Sequence, residues 1–128
     1  MKYLSDYMEV KQTELFNKTG TIFAFSDKQF EEQKVKGKQY SRIGQGMLTE
    51  KGNEIEVIEG LDTIYKESIL LDIKENGRDK IILRELLNHE AFYTGDIEDT
   101  IDKLEDYPFK EDDISKVYQK NYAVHSDN

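Results

Sequence analysis

The sequence predicts an α+β fold, a mainly helical single domain over residues 1–128 with a small sheet. Three observations predict it. Apolar residues recur at three- and four-residue spacing along most of the chain, the period of an amphipathic helix. Two short segments, near 21–25 and 40–48, carry aromatic and β-branched residues or strand-bending glycines instead. A length of 128 residues suits one domain.

The elements follow in order. Residues 3–18 form a helix whose face carries Leu4, Tyr7, Met8, Leu15 and Phe16, with Gly20 as its stop. Residues 21–25 read as a strand. Ser26, with Gln29 three residues later, is a capping pattern opening a helix that ends at Lys36, before Gly37. Residues 40–48, with Ile43, Gly44 and Gly46, read as a second strand, bent or bulged. Asn53 and Glu56 cap a short helix reaching Glu59. Leu61, Ile64, Tyr65, Ile69 and Ile73 then form an apolar stripe ending at Asn76 and Gly77. Over 79–94 the pattern of Ile82, Leu83, Leu86 and Leu87 favours a helix, with a hairpin as the alternative. A helix starting at Gly95 and Asp96 turns Ile97, Ile101 and Leu104 inward, until Pro108 breaks it. A last helix, 111–122, buries Ile114, Val117 and Tyr118, and residues 124–128 are expected to fray.

A 37% hydrophobic and 35% charged composition would permit disorder. Eight tyrosines, six phenylalanines, a single proline and the periodicity argue for a folded chain. Eighteen Lys and Arg against 27 Asp and Glu leave a net charge of −9, the wrong sign for a general binder of nucleic acid or anionic membrane. The absence of cysteine excludes disulfides, thiolate zinc sites and cysteine nucleophiles. No apolar run nears the roughly 20 residues needed to span a bilayer, and the first residues lack a signal-peptide core. The expectation is a cytoplasmic protein that contacts neither membrane nor nucleic acid directly.

Charge is concentrated. From Asp96 to Asp113 there are nine acids and two lysines, 2 − 9 = −7. The opposite pole is Lys28, Lys34, Lys36, Lys38 and Arg42 against Glu31 and Glu32, 5 − 2 = +3. Acids at the start of two helices favour the helix dipole, which explains part of the acidic stretch. It does not explain the scarcity of lysines. Asp96, Glu98, Asp99, Asp102, Glu105 and Asp106 are therefore the candidate docking surface for a basic partner.

A second constellation is Arg84, Glu85, Asn88, His89 and Glu90. On a helix, Glu85 and His89 share a face. With Asp96 as a third ligand they would suit a divalent metal, or as a pair they would suit acid–base work. Only one histidine lies here, so the two-histidine zinc helix is absent. The plainer reading is a polar network in which Arg84 pairs with a carboxylate and Asn88 and His89 satisfy backbone groups. No metal ligand, cofactor or catalytic residue is assigned. The acids of 96–102 fail as a calcium loop, because Ile101 stands where its glycine belongs. Gly44 and Gly46 make a lone G-x-G with neither a third glycine nor a lysine–hydroxyl pair after it.

The run from Arg84 through Asn88, His89 and Glu90 to Tyr93, Thr94, Gly95 and Asp96 has a recognisable cast. So do Phe23-Ala24-Phe25-Ser26 with Lys28-Gln29-Phe30, and Tyr107-Pro108-Phe109 before an acidic helix. Together they resemble a family of small proteins encoded by phages, prophages and other mobile elements of bacteria. The resemblance covers most of the chain and implies a setting rather than a chemistry. Many products of such genes bind a host protein, and some block host defence.

The expected role is thus a non-enzymatic accessory protein that binds a host protein through its acidic C-terminal helices, 96–122. The competing expectation is a small metal-dependent hydrolase or nuclease using Glu85, His89, Glu90 and Asp96. A third is a homo-oligomer joined through its opposite poles.

Overall fold

The computed structural model describes residues 1–125. It is mainly helical, and among the described residues the strands form a three-stranded antiparallel sheet, the α+β arrangement that the sequence predicts. The chain divides into two compact units, Met1–Ser68 and a second beginning at Ile69.

In the first unit, helix α1 (Leu4–Thr19) opens where the Asp6 carboxylate accepts the Tyr3 N–H at 2.7 Å. It stops at Gly20, whose φ of 68° is left-handed and whose missing Cβ leaves room for the Glu50 side chain. Strand β1 (Ile22–Phe23) is shorter than the five residues expected, because the chain turns at once into helix α2 (Asp27–Gln33). Ser26 Oγ accepts the Gln29 N–H at 3.2 Å, and Gln29 Oε1 accepts the Phe25 N–H at 2.7 Å. The cap is the expected one, but its return bond reaches one residue further back. Helix α2 ends at Gln33, not Lys36. Lys34 is already extended (ψ 148°), and the Gln33 amide is held by the Phe23 carbonyl at 2.5 Å.

The segment expected as one bent strand is two. Strand β2 (Tyr40–Gly44) and strand β3 (Met47–Glu50) form a hairpin, with β3 central in the order β1-β3-β2. The bulge is present, as a register shift between Arg42 and Gly44. The reversal depends on Gly46, at φ 70°, beneath the Phe25 ring, which occupies the space a Cβ would need.

Helix α3 (Glu54–Asn76) is a single 23-residue helix, where the sequence predicted a short helix ending at Glu59. Its middle glycine is tolerated for a packing reason. The Leu15 side chain lies against Gly60, and a Cβ there would come within 2.8 Å of Leu15 Cδ2. Leu4, Ala24, Val57 and Ile64 are buried in this unit.

The second unit begins within α3. Helix α4 (Arg78–Asn88) follows Gly77, and a single turn, α5 (Ala91–Thr94), follows α4. Residues 79–94 are therefore helical rather than a hairpin. Helix α6 (Glu98–Lys103) is shorter than predicted and starts later, since Gly95 has a φ of 77° and Asp96 serves as a local cap. Beyond Pro108, helix α7 (Glu111–His125) extends past the expected Tyr122. Ile81, Ile82, Leu86, Ala91, Phe92, Leu104, Tyr107, Ile114 and Val117 form the core. Phe92 stacks on Tyr118 with ring centres 5.1 Å apart. Thr100 is fully buried, whereas Ile97 and Ile101 are half-buried and Leu87 is exposed. The expected fray at 124–128 lies partly outside the described residues; Val124 and His125 are helical.

Candidate functional site

Helices α3 and α4 each place a charged side chain in the apolar interior of the second unit. Asp72 is fully buried and Arg84 nearly so. Isolated, each would be costly, since burial without a partner penalises an ion by several kcal/mol. They answer each other. Arg84 Nη1 and Nη2 donate to the two Asp72 oxygens at 2.9 and 3.0 Å, a bidentate fork. Asn76, one turn along α3, donates to Asp72 Oδ1 at 2.8 Å. The Tyr107 hydroxyl donates to Asp72 Oδ2 at 2.5 Å. Arg84 Nε donates to Glu85 Oε2 at 2.6 Å.

The protonation equilibria follow. Burial pushes the Asp72 carboxyl up, but hydrogen bonds from Arg84, Tyr107 and Asn76 outweigh it and hold the group below the ordinary carboxylate range. Burial and the Asp72 acceptor both push the Tyr107 hydroxyl up, so it remains a donor. Burial pulls Arg84 down, yet Asp72 and Glu85 raise it further. Asp72 is thus held ionised, Arg84 charged and Tyr107 protonated near neutral pH.

One edge of the network is unfinished. Glu85 Oε1 and His89 Nε2 face each other at 3.7 Å, too far for a hydrogen bond, and neither has a hydrogen-bond partner among the described residues. Of the polar constellation read from the sequence, the fold thus brings Arg84, Glu85 and His89 together. Asn88 and Glu90 are exposed, Glu90 at a left-handed φ of 55°. Asp96 turns away to accept the Glu98 N–H at 2.9 Å. Among the described residues, no group of three or more His, Cys, Asp or Glu is arranged to hold a metal ion.

The acidic stretch divides in two. Asp113 pairs with Arg78 at 3.4 Å and Asp112 with Lys116 at 2.9 Å, so two of the three acids in the first turn of α7 are compensated. Asp96, Glu98, Asp99, Asp102, Glu105 and Asp106 are all exposed. Among the described residues no lysine or arginine forms an ion pair with Asp96, Glu98, Asp99, Asp102 or Glu105. At the basic pole Lys34 and Lys38 pair with Glu31 and Glu50 at 2.8 Å each.

Asp72, Asn76 and Tyr107 were missed by sequence reasoning. Asp72 carried a signal. It falls between Ile69 and Ile73 on the apolar stripe of α3, where a carboxylate must find a buried partner. Tyr107 drew notice only as the neighbour of Pro108.

A mainly helical α+β protein with a buried arginine–carboxylate network and an exposed acidic segment is the class these features define. Residues 4–124 match the family of unknown function DUF7659, and the chain belongs to that family. No curated protein and no solved structure matches it. No described helix is long and apolar enough to cross a membrane.

Proposed function

We propose that this chain is a non-enzymatic accessory protein of a bacterial mobile element, working in the host cytoplasm. It binds a host protein through the carboxylates of residues 96–106. The observation that supports this reading is the exposure of six acids over α6 and its flanks, five of them without a basic partner among the described residues. An uncompensated surface of one sign raises the association rate for an oppositely charged partner and makes that rate fall with salt. A host factor that itself binds nucleic acid would present such a basic surface. The competing metal-hydrolase reading has less support, since Glu85 is engaged by Arg84 and the candidate ligands form no group of three.

The test is capture of the partner from bacterial lysate with wild-type protein and with Asp99, Asp102 and Asp106 all changed to lysine. Capture that weakens with salt and vanishes in the triple variant supports the reading. Undiminished capture by the triple variant removes this surface from consideration.

A further inference from the structure

The unfinished edge of the buried network lies where α4 ends. Glu85 stands in the last turn of that helix and His89 is its C-cap, with the His89 N–H donating to the Glu85 carbonyl at 3.0 Å. The two side chains therefore share a face, one turn apart. The Glu85 side chain is only 2% exposed and the His89 ring 26%. Glu85 Oε1 and His89 Nε2 are themselves buried, 3.7 Å apart, and make no hydrogen bond among the described residues. Two polar atoms brought this close out of water and left unjoined are costly.

Three features of this end of the helix favour a positive charge at His89. Asp72, Glu85 and Arg84 sum to 1 − 2 = −1, so the buried network is one cation short. The carbonyl end of a helix attracts a cation. The last turn of α4 holds no lysine or arginine to supply it. The elements packed against α4 supply none either. On α6, Glu98, Asp99, Asp102 and Lys103 are exposed. On α7, Asp113 is held by Arg78 and Lys116 by Asp112, while Tyr118 and His125 lie against Phe92. Tyr107 donates to Asp72. Among the described residues, the Glu85 carboxylate meets no charged group except Arg84 and His89.

We infer that His89 and Glu85 form a proton-operated clasp on the end of α4. A protonated imidazole carries hydrogen on both nitrogens. Its Nε2–H then closes on Glu85 Oε1 as a charge-assisted bond. The clasp fixes the last turn of α4 just before the left-handed corner at Glu90. A bond made only by the protonated ring holds that proton more tightly in the folded chain than in the unfolded one. The stability it gives is therefore present in mild acid and lost as the pH rises. The clasp is independent of the proposed docking surface.

The test is a double-mutant cycle of Glu85→Gln and His89→Gln. Glutamine at 85 keeps an oxygen to accept from Arg84 Nε. Urea unfolding reads the cycle at about pH 5.5 and about pH 8, either side of the ordinary histidine range. The expected coupling is about five- to tenfold in the folding equilibrium at the lower pH and none at the higher. Comparison within the cycle cancels His125, the other histidine. Equal coupling at both pH values means an uncharged contact and overturns the clasp, as does no coupling at either. Where Glu85→Gln fails to fold, NMR of the wild type decides. The His89 Nε2 proton should be protected from solvent exchange at about pH 5.5 and unprotected at about pH 8. A proton unprotected at the lower pH, or protected at both, overturns the inference.

Discussion

The two units bury polar groups in opposite ways. In the first, the buried polar atoms are neutral. Thr19 and Thr21 hydroxyls meet at 2.7 Å, and Thr49 Oγ1 and Asn53 Nδ2 both donate to the Thr19 carbonyl at 3.0 Å. In the second, Asp72, Arg84 and Glu85 are charged, and Tyr107 donates to the same centre. The difference teaches where each unit is fragile. A neutral network loses one bond at a time, each worth about 1 kcal/mol. A buried charged network depends on every partner, because removing one strands an ion in the interior.

Mutation can break this contrast. Arg84→Met should have the largest effect, about 3–5 kcal/mol, because two buried carboxylates lose their cation. Urea unfolding would measure it, with amide signals of the second unit lost first. The combined change of Asp72, Arg84 and Glu85 to apolar residues should be far milder than Arg84→Met alone. An equal loss would mean that volume, not charge, holds this core. Acid comes next. The Asp72 carboxyl titrates below its unfolded value, so its stabilisation is present above about pH 4 and is lost as pH falls through the folded pKa. Hydrogen exchange at falling pH should therefore open the second unit before the first.

Two smaller effects sharpen the comparison. Tyr107→Phe removes one donor to a charged acceptor and should lose about 2 kcal/mol. It should also make the second unit more acid-sensitive, since one of the bonds holding Asp72 ionised is gone. Thr49→Val in the first unit should lose only about 1 kcal/mol, with no change in acid sensitivity, because Asn53 still serves the Thr19 carbonyl. A Thr49→Val loss as large as that of Arg84→Met would erase the distinction between the units.

Local chemistry made part of this legible. Gly20 as a stop and Ser26 as a cap are short-range signals, and each acts at its own position; the break expected at Pro108 comes earlier, since α6 already ends at Lys103. The hairpin at Gly46 was not legible, since two glycines two apart read equally well as a bulge until Phe25 is known to cover one of them. The passage of α3 through Gly60 depends on Leu15, a partner remote in sequence. In the site, Glu85 and His89 were legible from their spacing, and the exposed acids from the want of nearby lysines. The partners of Asp72 come from a different helix and from the segment before Pro108, so spacing could not join them.

The fork between positions 84 and 72 constrains how sequences in this family can drift. A lysine at 84 would present a single point of charge to two oxygens, so the swap of one base for the other is no neutral step there. A lineage that abandons the aspartate must abandon the guanidinium almost at once, or pass through an ancestor with an orphaned ion at its centre. Across relatives, the two positions should therefore change as a couple or not at all.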